Sequence, residues 1–184
     1  KLKAVWKLLH PGKKPAVQEI IGIIGTGRGV GVTHFAIMTA GYLTGVLRKR
    51  CAVLEWNSHG DFGNMRKICG KDGRPDEVSR ILDTDYYERA GIDTLLLCKK
   101  AGYQAVIVDY GSVMEGNLEE FLRCDRQFVL GSFSEWQMKA FLEFEGKGKR
   151  AERSWETLPP LAARRPEKIW KRGLDFPSAG FRFQ

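Results

Sequence analysis

The chain has 184 residues, 43% hydrophobic and 11% aromatic, with 30 Lys and Arg against 22 Asp and Glu for a net charge of +8. That is one domain's worth of protein, too apolar to stay disordered and without a run of 18 apolar residues to span a bilayer. The charge sits at the ends: residues 1–14 carry five lysines and no acid, residues 147–184 carry ten basic residues against four acids, and the stretch between is −3. This differs from a uniformly basic nucleic-acid binder and predicts three parts: a basic amphipathic arm (1–14), an α/β domain (15–146) and a basic, aromatic-rich tail (147–184). The first residue is Lys rather than Met, which reads as a fragment or processed product, and no secretory apolar segment follows it.

In chain order, Ile20-Ile21-Gly22-Ile23-Ile24 is a short continuous apolar run, as expected of a strand buried on both faces. A glycine-rich turn and an apolar helix over Thr33–Leu47 follow, closed by Arg48-Lys49-Arg50 at the negative end of the helix dipole. A second strand is expected over Cys51–Trp56, then a polar turn and a helix within 62–78 broken near Gly70, Gly73 and Pro75. A third strand is expected within Val78–Tyr87 and a helix over 90–101. Ala105–Val108 reads as a buried strand ending at Asp109, followed by a helix near 115–124, a strand over Gln127–Leu130 and a helix over Ser134–Phe144. Strands alternating with helices predict a doubly wound, mainly parallel sheet with helices on both faces.

Cys51, Cys69, Cys98 and Cys124 lie 18, 29 and 26 residues apart, with no C-x-x-C pair. They read as reduced, buried thiols of a cytoplasmic protein and not as zinc ligands. His10, His34 and His59 have no partner at ligand spacing and are assigned no metal or catalytic role.

The segment Gly25-Thr26-Gly27-Arg28-Gly29-Val30-Gly31-Val32-Thr33 joins the first strand to the first helix. Glycines permit left-handed backbone there, and a helix N-terminus leaves amide donors unpaired, so the amides can converge on a phosphate. The loop is similar to that of ParA/MinD-type P-loop ATPases, G-x-K-G-G-V-G-[KT]-[ST], with the CpaE/TadZ-like branch nearest in look. The resemblance continues in order through about 19–144. Glu55-Trp56-Asn57 with Ser58-His59-Gly60-Asp61 stands where the family has D-x-D and P-Q-G-N, Tyr103–Asp109 resembles its Walker B strand, and Cys124-Asp125 stands for its A-D pair. The resemblance implies ATP or ADP with Mg²⁺, held by Gly27, Arg28, Gly29, Val30, Gly31, Val32, Thr33 and Asp109, with Thr33 a metal ligand and Asp109 its outer-sphere partner. It also implies a bacterial positioning or scaffold factor with a protein partner, a homodimer or a membrane surface as its contact.

Departures from the family fall on the catalytic positions. Its signature lysine would stand at Gly27 and its Walker A lysine at Val32. Each lost charge-assisted contact removes ~1.5–3 kcal/mol, so phosphate binding is expected to be weaker by roughly two to four decades. The carboxylate that orients attacking water would stand at Asn57, whose amide is no base at neutral pH. A degenerate pseudo-ATPase that binds nucleotide weakly or not at all is therefore the first expectation, with no catalytic residue assigned. An active ATPase in which Arg28 or a partner restores the charge is the second.

An NAD-binding Rossmann enzyme is a third reading, with Glu55 as the ribose-binding acid. Its G-x-G-x-x-G pattern meets Val30 in one register and Val32 in the other. In the N-terminal arm, Leu2, Val5, Trp6 and Leu9 share a helical face that suits an anionic membrane. Each lysine adds ~1 kcal/mol there, but ordering costs ~1–2 kcal/mol per residue, which makes a weak anchor. The tail's basic and aromatic residues favour docking on the chain's own sheet or on a protein over nucleic acid.

Overall fold

A computed structural model describes residues 18–69, 78–132, 134–150 and 155–158. The predicted N-terminal arm and most of the tail lie outside the described residues. Among the described residues seven strands form one sheet: β1 (Glu19–Gly25), β2 (Cys51–Glu55), β3 (Ser79–Ile81), β4 (Thr84–Tyr87), β5 (Ala105–Ser112), β6 (Arg126–Leu130) and β7 (Glu156–Leu158). The helices described with them are α1 (Val32–Gly45), α2 (Asp61–Ile68), α3 (Ile92–Lys100), α4 (Leu118–Phe121) and α5 (Glu135–Arg150). The strand order is β3-β4-β2-β5-β1-β6-β7, parallel throughout except for the β3–β4 hairpin.

The apolar runs seen in the sequence become strands covered on both faces, because alternate residues of each feed opposite cores. On one side Ile21, Ile23, Val53 and Ile107 pack with Phe35, Ala36, Ala40 and Leu43 of α1 and Phe62 of α2. On the other, Ile24, Leu54, Val106 and Val108 pack with Leu95 and Cys98 of α3, Phe121 of α4 and Phe144 of α5. Buried Thr39 and Thr44 turn their hydroxyls onto the Phe35 and Ala40 carbonyls of their own helix, at 2.7 and 2.8 Å. That satisfies them within the helix, and the Thr44 hydroxyl also meets that of Thr84 at 3.4 Å.

Several expected boundaries move. The stretch expected to hold one strand before Tyr87 is a hairpin, whose two turn residues Leu82 and Asp83 have φ of 47° and 63°. Left-handed backbone at both central positions matches the right-handed twist of the flanking strands. The strand expected to stop at Asp109 runs on to Ser112, tied by Trp56 N–H to Asp109 O and Val113 N–H to Gly25 O. Cys69 is exposed, unlike the three buried cysteines, because it follows the last turn of α2 beyond its apolar face. The last helix continues through Arg150, and β7 pairs with β6 while Trp155 stacks on Phe144 with ring centroids 4.9 Å apart. Those tail residues therefore dock on the sheet.

Gly131, just after β6, touches α5 so closely that an added Cβ would stand 1.9 Å from the Phe141 ring. Gly131→Ala is expected to push α5 off the sheet and cost about 1–3 kcal/mol, read as a fall in denaturant midpoint.

Candidate functional site

The glycine loop lies at the carboxyl end of β1, the edge of an open α/β sheet where ligands bind. Its position follows from strand order, since β1 is flanked by β5 and β6 with Ile23 in register with Asp109. The Walker B-like strand thus stands directly beside the loop strand. In the dinucleotide-binding order the first strand lies beside the second; here β5 separates β1 from β2, and nothing in the topology supports the NAD reading.

Thr26 N–H donates to Leu130 O at 2.8 Å, anchoring the loop's start to β6. Gly29 and Gly31 have φ of 73° and 96°, backbone that only glycine adopts without penalty. The amides of Gly27 through Gly31 donate to no described residue, and those of Val32 and Thr33 open α1, where no intrahelical acceptor exists. The loop therefore offers a run of unpaired donors. Val30 and Val32 turn their side chains into the core, each 7% exposed, so only their backbone faces the loop.

Carboxylates cluster beneath it. Asp109 is fully buried; its Oδ1 accepts the Gly111 amide at 2.9 Å, and its Oδ2 has no hydrogen-bond partner among the described residues. Burial pushes its pKa above the usual carboxylate range, opposed by the nearby Thr33 hydroxyl, the Gly111 amide and His59. Thr33 Oγ1 donates to Asp61 Oδ2 at 3.2 Å. Across the sheet, Glu55 is in register with Asp109 and 1% exposed. It is no solvated strand end: its Oε1 accepts the Asp61 and Phe62 amides at 2.6 and 3.3 Å, capping α2 from a distance. Burial raises its pKa, and the two amides hold it down. Asn57 uses both ends of its amide, donating to Asp109 O at 3.2 Å and accepting the His59 amide at 2.9 Å.

Arg28 forms an ion pair with Glu115, whose other oxygen lies 3.0 Å from His59 Nε2. The Arg28 carbonyl accepts from Gln137 on α5 at 3.2 Å. The guanidinium holds the Glu115 carboxyl below the usual range, with His59 acting in the same sense. Sequence reading missed Asp61, Glu115 and His59 here, as well as Thr26 and Ser112, whose buried hydroxyls have no partner among the described residues.

The unpaired amides and the orphaned Asp109 oxygen beside the Thr33 hydroxyl fit a phosphate group accompanied by a divalent cation. No group of three His, Cys, Asp or Glu among the described residues can hold a metal. A cation here would draw most ligands from phosphate and water, as Mg²⁺ usually does.

Fold and loop together define a P-loop NTPase-like α/β domain. No known protein family matches the sequence, and no curated protein does. Solved structures do match in fold. MinD in the MinC:MinD cell division complex of Aquifex aeolicus aligns with a TM-score of 0.60 at 16% identity, over 84% of this chain and 72% of that one. A ParA family ATPase from Chlorobium tepidum TLS aligns at 0.58 and 13% identity, over 85% and 80%. Cobyrinic acid a,c-diamide synthase from Mycobacterium smegmatis, with bound ADP and magnesium, aligns at 0.51 and 12% identity, over 78% and 74%. The chain thus has the fold of ParA/MinD-type P-loop proteins.

Proposed function

We propose that the chain is a degenerate ParA/MinD-like P-loop protein that binds ATP or ADP weakly, with Mg²⁺, and works as a positioning or scaffold factor without efficient hydrolysis. The observation that carries this reading is the run of unpaired amides from Gly27 to Gly31 over the orphaned Oδ2 of Asp109. The amides would hold phosphate oxygens, Thr33 the cation directly, and Asp109 the cation through water. Mg²⁺ would neutralise phosphate charge among the carboxylates of Asp61, Asp109 and Glu115. With a valine in the core at position 32 and an amide at 57, neither of these positions supplies the lysine charge or the water-orienting carboxylate. A solved neighbour is MinD in complex with MinC, and a partner protein is the contact this reading favours for a cytoplasmic, bacterial chain. Homodimerisation or an anionic membrane remains a further contact of the basic ends.

Isothermal titration with ATP and ADP, each with and without Mg²⁺, tests it. Weak binding that needs Mg²⁺, with negligible phosphate release, is expected. Equal binding without Mg²⁺, or robust turnover, overturns it.

The second reading, an active ATPase using Arg28, is favoured only by the guanidinium's place on the loop. Because Glu115 neutralises that charge, Glu115→Gln is expected to tighten Mg-nucleotide binding about tenfold by freeing Arg28. Turnover in that variant would favour the second reading, whereas tighter binding alone would favour the first.

A further inference from the structure

An open surface cleft of about 380 Å³ lies beside the candidate nucleotide site, lined among others by Trp56, Asn57, Ser58, Arg89, Glu115 and Asn117, and by none of the loop residues 25–33. Its donors are largely uncommitted. Arg89 is exposed and makes no hydrogen bond or ion pair with any described residue, and the Trp56 indole N–H and Ser58 hydroxyl are likewise without partners there. Asn117 spends its carbonyl oxygen on the Glu120 amide, and its NH₂ has no partner among the described residues. The two remaining polar groups are spoken for: Glu115 by Arg28 and His59, Asn57 by Asp109 and the His59 amide.

Arg89 also sits in left-handed backbone, φ 48°, in the turn after β4. The turn is held by the neighbouring Ala90 amide, which donates to Glu55 O at 2.8 Å. A non-glycine residue held there is disfavoured and persists when its surroundings fix it, often at ligand sites. The Trp56 ring leans on Tyr110, with centroids 5.6 Å apart and planes 32° from parallel, which holds the indole as a wall.

We propose that this cleft binds a flat organic carboxylate, gripped by the Arg89 guanidinium and laid against Trp56. A guanidinium meets a carboxylate through two parallel hydrogen bonds, and the neutral donors of Ser58, Asn117 and the indole complete the anion's shell. The volume suits a small ligand. Of the lining residues only Glu115 is acidic; it disfavours a second negative charge on the ligand, and the indole wall favours a flat one, which selects an aromatic monocarboxylate over phosphate. The site shares no residue with the glycine loop, although Glu115 ties its rim to Arg28.

The test is a titration of the full chain followed by the ¹⁵N-indole resonance of Trp56, assigned through Trp56→Phe, with benzoate and, separately, inorganic phosphate as probes. Benzoate is expected to shift that resonance saturably. Arg89→Asn, which keeps a residue tolerant of left-handed backbone, is expected to weaken binding about tenfold or more, with Arg89→Lys between. A shift that does not saturate, equal affinity in Arg89→Asn, or phosphate binding as tightly as benzoate overturns the proposal. The comparison of the two probes on the unmutated chain decides even if Arg89→Asn folds poorly.

Discussion

Asp109→Asn is expected to raise the melting temperature by about 2–4 °C at pH 8 while removing the Mg²⁺-dependent part of nucleotide binding. Asp109 holds a carboxylate in the centre of the sheet with one oxygen unpaired, and a buried charge without full hydrogen bonding is costly. The amide keeps the oxygen that accepts the Gly111 N–H and loses the charge. Its stabilisation should be on the order of 1 kcal/mol after the new N–H's own desolvation. The pH dependence has a definite sign. Burial raises the pKa of Asp109, and of Glu55 beside it. Between the ordinary carboxylate values and these raised ones, the folded chain holds more protons than the unfolded chain. Stability therefore falls as pH rises through that window and recovers on mild acidification. The advantage of Asp109→Asn should be full at pH 8 and shrink on acidification. Thermal melts across that range, run beside titrations with Mg-ADP, check both halves; an unchanged Mg²⁺ requirement in the variant would remove Asp109 from the site.

Arg66→Met should give the largest loss of stability. Arg66 Nε pairs with Glu88 Oε1 at 2.6 Å, with side chains 10% and 6% exposed. Removing one partner of a buried pair costs ~3–5 kcal/mol, because the other charge is left buried. For a chain of this size that is a drop of roughly 6–20 °C in melting temperature. Glu88→Leu added to Arg66→Met should recover most of it, since the stranded carboxylate is gone. The pair joins α2, whose first residue Asp61 accepts from Thr33, to the turn that carries Arg89. Arg66→Met is accordingly expected to weaken Mg-nucleotide binding as well, whereas a destabilising change such as Gly131→Ala should affect it less. Calorimetric melts of the single and double variants provide the measurement.

The sheet was legible because strands buried on both faces read as unbroken apolar runs: Ile20–Ile24 and Ala105–Val108 show their class without any neighbour. The β3–β4 hairpin was not, since Arg80, Asp83 and Asp85 interrupt its apolar pattern. Asp85 is tolerated inside because the Tyr103 hydroxyl donates to it at 2.8 Å, from 18 residues away, and Arg80 lies 3.7 Å from its other oxygen. At the site, the glycines and Thr33 could be read from local spacing, because a phosphate loop is a local device. Asp61, Glu115 and Gln137 could not. They reach Thr33 and Arg28 across 28, 87 and 109 residues, and an isolated acid or amide in a loop sequence looks like any solvated side chain. Asp125, matched to a family motif, serves to hold the sheet: its Oδ2 accepts the Ile20 amide at 2.8 Å.

The flanking of β1 by β5 and β6 also bears on how the protein reaches its native state. Both neighbours of the first described strand are supplied late, with Ile23 paired to Asp109 on one side and Phe128 on the other. Closing such long loops before any pairing is gained makes parallel sheets slow to fold. During synthesis the glycine loop follows a strand whose partners are still to come, so its anchor on Leu130 forms only after β6 has emerged. A fragment ending before Arg126 leaves one side of β1 open, and a nascent chain of that length presents an apolar edge strand that invites association.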